Sequence, residues 1–302
     1  MDPYRPLGEI PGVVDETESY AVLYKPPLMF SAPLGTALEA TLLGWYARSR
    51  PAVLEPAGGK KGEGGLLHRL DFETEGLVLI AKTQEAYESL RSQQAAGDFV
   101  KEYLAVTCPR SPEEQGRNPL PGFPPPPNTG PFPIGAGSPG PETCIESFFR
   151  PWGPGRKAVR PVTAASVPGR KFKIAGDRGK PYRTEIFSCE DPGAVPGVPD
   201  GERFGSPRVF GLRIRRGFRH QIRCHLAWLG EPVLYDALYG GQGRPPDSAL
   251  RPGPVSPDSP SPQDIPSPLN RGERRPIGLR AWAFHFFDPA TGEQKDYRLP
   301  SF

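Results

Sequence analysis

The chain has 302 residues, 42 of them proline and 36 glycine, and 37 basic side chains against 34 acidic ones leave a net charge of +3. That charge neither demands nor excludes a nucleic-acid partner, so local clustering has to decide. No run of about 18 uncharged apolar residues exists to cross a membrane, and four scattered cysteines (Cys108, Cys144, Cys189, Cys224) without a CxxC pair argue against a disulfide framework or a cysteine zinc site.

The prolines are not spread evenly. Stretches 109–141, 191–207 and 240–276 hold 26 of the 42, and such composition cannot build a core. The expectation is a single domain over 1–302 interrupted by three flexible insertions. The opening MDPYRPLGEIPG has prolines and acids where a secretory leader needs basic and then apolar residues. The expected compartment is therefore the cytoplasm.

In chain order, Tyr20 to Tyr24 reads as a strand broken by Pro26 and Pro27. Leu38, Leu42 and Trp45 or Tyr46 have helical spacing, and a glycine-rich linker follows over 58–65. The apolar run Gly76 to Ala81 predicts a strand buried on both faces. Thr83 predicts an N-cap for a helix through Gln94, with Gly97 as its stop. In FVKEYLAV, Phe99, Lys101, Tyr103 and Ala105 share one face of a strand. Beyond the first insertion, Lys171 to Ile174 and Tyr182 to Phe187 predict a hairpin. VFGLRIRRG alternates, with Phe210, Leu212 and Ile214 inward and Arg213 and Arg215 outward. A helix from about His220 to Leu229 should stop at Gly230, and a final hairpin should turn at Asp288-Pro289. Interleaved helices and strands give an α+β or α/β class.

Two places could carry chemistry. From Arg208 to His225 there are six arginines, two histidines and no acid. Ordinary surfaces mix the signs, and a phosphate backbone is the natural complement of arginine's fork. Asp71 sits in a polar turn ahead of a buried strand, where scaffolds present functional groups. An Asx turn, with the carboxylate accepting backbone N–H bonds, explains its position equally well.

The blocks LLHRLDFETEGLVLIAK, KEYLAV, GKPYRTEIF, GFRHQIRCHLAWLGEPVLYDALYG and IGLRAWAFHFFDP, with YAVLYKPP near the start, resemble in order those of the RluA-type RNA pseudouridine synthases. The resemblance implies an α+β pseudouridine synthase fold: a mixed, mostly antiparallel central sheet with flanking helices and a catalytic cleft. It implies RNA as partner, ribosomal or transfer, with no cofactor, no metal and no membrane, and we expect a monomer without the S4 RNA-binding domain of many relatives. It implies that uracil is detached from C1′, rotated and rejoined through C5. By matching, Asp71 falls on the catalytic aspartate, Tyr103 on the tyrosine that packs against the target base, and Arg223 on the arginine paired with the aspartate. Arg69 falls on the residue associated with the flipped-out site. His68, Arg213, Arg215, Arg216, Arg219, His220 and Gln221 complete the expected RNA contacts.

Asp71 has three roles open to it: attack at C1′, attack at C6, or removal of the C2′ proton. Departures from the family pattern are Glu75 for serine, Phe218 for arginine, and Leu28 and Tyr235 for glycines. Glu75 is expected to bring an extra negative charge near the aspartate. The alternative reading is a catalytically weak RNA-binding protein on the same fold.

Overall fold

A computed structural model describes residues 4–33, 36–56, 58, 62–109, 122–127, 143–163, 179–190, 207–240 and 275–301. The described strands are β1 (Gly12–Glu16), β2 (Tyr20–Lys25), β3 (Glu75–Ala81), β4 (Val100–Thr107), β5 (Thr143–Trp152), β6 (Ala158–Val162), β7 (Tyr182–Glu190), β8 (Arg208–Ile214), β9 (Leu279–Phe287) and β10 (Gln294–Arg298). They form one sheet in the order β1-β2-β3-β9-β4-β8-β7-β5-β6, with β10 paired to β9. All named strand pairs are antiparallel except β3 with β9, which run parallel through Glu75–Arg280 and Gly76–Ala281. Gly76 is required there: at φ 131°, a Cβ would lie 2.3 Å from the Ala281 carbonyl oxygen. The mixed, mostly antiparallel sheet with few helices is that of the α+β class.

The helices are α1 (Leu42–Ala47), α2 (Gln84–Ala96) and α3 (Gln221–Trp228). The Thr83 hydroxyl accepts the Ala86 N–H and Gly97 closes α2 at φ 94°, as their residue types dictate. The helix expected from Leu38 instead breaks at Thr41, whose backbone is extended and whose hydroxyl caps Gly44 N–H at 3.1 Å. Threonine thus ends a 3-10 turn and starts α1. α2 packs over Leu77, Leu79, Phe284 and Phe286, while the larger core lies around Leu212, Ile222 and Leu226.

The predicted strand Lys171 to Ile174 lies outside the described residues, as do most of the three insertions. Residues 122–127 are described: Phe123 is buried, and the Trp228 indole N–H, at the end of α3, donates to the carbonyls of Pro124 and Pro125 at 3.0 and 3.1 Å. No helix among the described residues is long and apolar enough to cross a membrane.

Candidate active site

The segment before Asp71 is laid along β3. Leu66 bridges Ile80, and Leu67 N–H donates to the Leu79 carbonyl. Ser31 then clamps the residue just before Asp71, its hydroxyl accepting from Leu70 N–H and donating to the Leu70 carbonyl. The turn closes through the Asp71 main-chain oxygen, which accepts Thr74 N–H at 3.1 Å. The carboxylate itself is turned to α3, where Arg223 Nη1 donates to Oδ2 at 3.0 Å and His220 Nε2 stands 3.7 Å from Oδ1. The Asx-turn alternative is therefore not what the side chain does.

Arg223 is held from behind. Its Nε and Nη2 donate to the two oxygens of buried Asp236 at 2.6 and 2.9 Å, leaving Nη1 for Asp71, with Glu73 3.6 Å away. A guanidinium is suited to this because its planar fork fixes two carboxylates at once. Burial works against the charge on Arg223, but Asp236, Asp71 and Glu73 outweigh it. Burial would likewise raise the pKa of Asp71, but His220, Arg223 and Lys25 prevail and hold it below the ordinary aspartate range. Burial lowers the pKa of His220 to about 4, so at neutral pH this ring is uncharged and Arg223 is the lasting cation. His220 Nδ1 meets the Tyr239 hydroxyl at 3.1 Å.

Tyr103, on β4, is buried and feels the Asp71 charge; burial and that charge raise its pKa, so the phenol stays protonated. Lys25, at the end of β2, is wholly buried. Its ammonium donates to the carbonyls of Pro26 and Met29 at 2.9 and 2.8 Å, tying together the ends of the loop that carries Leu28. Burial pulls its pKa to about 7 against the opposing pull of Asp71, Glu73 and Glu75. Leu28, His220 and Tyr235 all sit at positive φ, 60°, 56° and 65°. Leu28 and Tyr235 stand where the resemblance implies glycine, which takes this conformation without strain.

The structure thus brings Asp71, Tyr103, Arg223 and His220 together. It does not bring the other expected RNA contacts to the carboxylate. His68 accepts Leu79 N–H at Nε2 and lies against Phe99 and Phe284; burial and then Lys101 hold it neutral. Gln221 latches α3 to β7 through the Arg183 carbonyl and Thr184 hydroxyl. Arg213 forks onto Glu102 at 2.8 and 3.1 Å. It points to the opposite face of β8 from Leu212, the residue paired with Tyr103. Arg213 and Arg215 line a pocket of about 380 Å³ together with Asp98, Glu102, His285 and Arg298, where the signs are mixed. Arg215, Arg216 and Arg219 donate to the carbonyls of Gly97, Pro181, and Arg156 with Ala158. Arg69 pairs with Glu63 at 2.7 Å.

Sequence reasoning missed Lys25, Glu73, Asp236 and Tyr239 as members of the cluster. All four lie inside blocks that carry the resemblance, and that was their one signal in the sequence. Glu75 does not add an uncompensated charge beside Asp71, because Arg280 neutralises it at 2.9 Å. Among the described residues, no group of three or more His, Cys, Asp or Glu could hold a metal ion.

A family model described as RNA pseudouridylate synthase matches residues 19–228. Ribosomal large subunit pseudouridine synthase D of Vibrio vulnificus is 25% identical over 288 residues, covering 95% of this chain and 66% of that protein. The Pasteurella multocida protein of the same name is 26% identical with the same coverage. An uncharacterized RNA pseudouridine synthase of Chloroflexus aurantiacus is 28% identical over 69% of this chain and 46% of that one. The chain therefore spans just under two thirds, or less, of the length of these relatives. In fold it is similar to human RNA pseudouridylate synthase domain containing 1, with a TM-score of 0.54 and 17% identity, covering 97% of this chain and 84% of that one.

Proposed function

The chain belongs to the RNA pseudouridylate synthase family, of RluA type, and from that premise we propose that it isomerises uridine to pseudouridine in RNA with Asp71 as the reacting carboxylate. The observation that carries this reading is the 3.0 Å bond from Arg223 to Asp71, made across 152 residues of chain. It holds an ionised, partly open carboxylate next to a buried tyrosine.

The reaction breaks the C1′–N1 bond, forms a C1′–C5 bond, moves the C5 hydrogen off carbon and leaves a hydrogen on N1. No electrons enter or leave, so no redox cofactor is called for. An ionised carboxylate can attack C1′ or C6, or take the C2′ proton. Arg223 fixes its direction and keeps it ionised. Reaching C1′ requires the nucleotide to leave its stack. Tyr103 then supplies a flat face for the loosened base. Arg219, next to His220, and Arg69, two residues before Asp71, are the flanking phosphate contacts in this reading. Ribosomal RNA is the first substrate to offer, since the matched relatives are named for it.

The test is tritium release from unmodified RNA labelled at C5 of uridine, with Asp71→Ala as control. Release by the native chain alone is expected. No release from ribosomal or transfer RNA, with RNA binding intact, would favour the binding protein instead.

A further inference from the structure

Lys101 is 4% exposed, yet its ammonium makes no hydrogen bond or ion pair among the described residues. Its one recorded partner is the Phe99 ring, 5.4 Å from Nζ. Burial, and after it the like charge of Arg91, pulls its pKa to about 8. Glu102, the neighbouring acid, lies on the other face of β4 and is taken by Arg213. A desolvated ammonium without a counter-charge is costly, and an anion placed against it removes that cost.

Its place says which anion. Lys101 and Tyr103 share a face of β4, two residues or about 6.7 Å apart. Gly217 roofs the ammonium: a Cβ there would stand 3.5 Å from Nζ. Gly217 leads through Phe218 and Arg219 to His220, the ring beside Asp71. Lys101 is therefore the tyrosine's neighbour along one face of the strand, and its ammonium lies under the loop that carries the site's histidine. We propose that Lys101 binds a phosphodiester oxygen of the RNA next to the uridine that packs on Tyr103, making it a substrate-positioning residue. This rests on the reading of the site as a pseudouridine synthase.

The experiment uses the full chain with Lys101→Met, Lys101→Gln and Lys101→Arg, and a hairpin RNA with a uridine-bearing loop. Loss of one phosphate contact should flatten the slope of log K against log salt by about 0.7. KM should rise about tenfold with kcat unchanged, as for an interaction equal in ground and transition states. Lys101→Arg should restore both. The comparison uses whichever neutral variant keeps the native Tm. An unchanged slope in that variant overturns the proposal, as does a fall in kcat at unchanged KM. A flattened slope in a protein that releases no C5 tritium would sink the synthase reading while leaving the phosphate site standing.

Discussion

Two arginine–carboxylate pairs, whose acids lie four residues apart in the chain, behave as opposites. Glu75 has no exposure and four donors: Arg280 Nε at 2.9 Å and Tyr4 hydroxyl at 3.1 Å on one oxygen, Tyr24 hydroxyl at 2.6 Å and Leu7 N–H at 3.0 Å on the other. The remaining nitrogens of Arg280 go to the carbonyls of Pro300 and Arg5. Among the described residues Asp71 has one donor at hydrogen-bond distance, and its side chain is 24% exposed. A carboxylate with every lone pair filled is a structural joint. One that is held in direction but left with open lone pairs can take a proton or attack carbon.

The sharpest test of this contrast is Asp71→Ala. Tritium release should fall by about 10⁴-fold or more, with the Tm little changed, since the partner Arg223 keeps Asp236. Glu75→Ala should do the reverse, stranding Arg280 uncompensated in the core at a cost of about 3–5 kcal/mol, read by urea unfolding. A fully stable Glu75→Ala would break the comparison. Between them lies Arg223→Lys, which keeps a cation and loses the fork. Turnover should fall about 100-fold, and the acid limb of the pH–rate profile should move up toward the ordinary aspartate range, because a weaker counter-charge favours the neutral carboxyl.

Smaller effects follow from the histidines. Burial lowers His220 to about 4 and His225 to about 3. The unfolded chain, with its histidines near about 6.5, binds more protons between those values. Stability should therefore be full above pH ~6.5 and decline as pH falls toward 4, and His220→Gln should flatten that decline in thermal melts across this window. The smallest expected change is Leu28→Gly. It relieves about 1–2 kcal/mol of left-handed strain against about 0.5–1 kcal/mol of added chain entropy, a net gain of about 0–1.5 kcal/mol in chemical unfolding.

Local signals made much of the fold legible. Thr83, Gly97 and Gly230 punctuate helices by their own chemistry, and the alternation of β8 needs only neighbouring residues. The directions of the arginines were equally legible, but their surroundings were not. The segment 208–225 contains no acid in sequence, yet in space Arg208 meets Glu231, Arg213 meets Glu102, and Arg223 meets Asp236 and Asp71. These acids arrive from other strands and turns, so a segment of one sign is not a face of one sign. The polar turn ahead of β3 singled out Asp71, the arginine-rich segment held Arg223, and the resemblance of their blocks paired the two. The buried clasp of Asp236 on Arg223 was not, because a turn folding back onto a helix leaves no periodic trace.

The placement of β9 has a consequence in time. This strand, residues 279–287, lies between β3 and β4 in mid-sheet, though it is next to last among the described strands. At about 5–20 residues per second, synthesis passes Tyr103 roughly 9–35 s before it reaches Leu279. Throughout that interval the strand bearing Tyr103 lacks one neighbour and β3 lacks its parallel partner. The cleft therefore lacks this wall until residues 279–287 have been made, well after the strand that bears Tyr103 has left the ribosome.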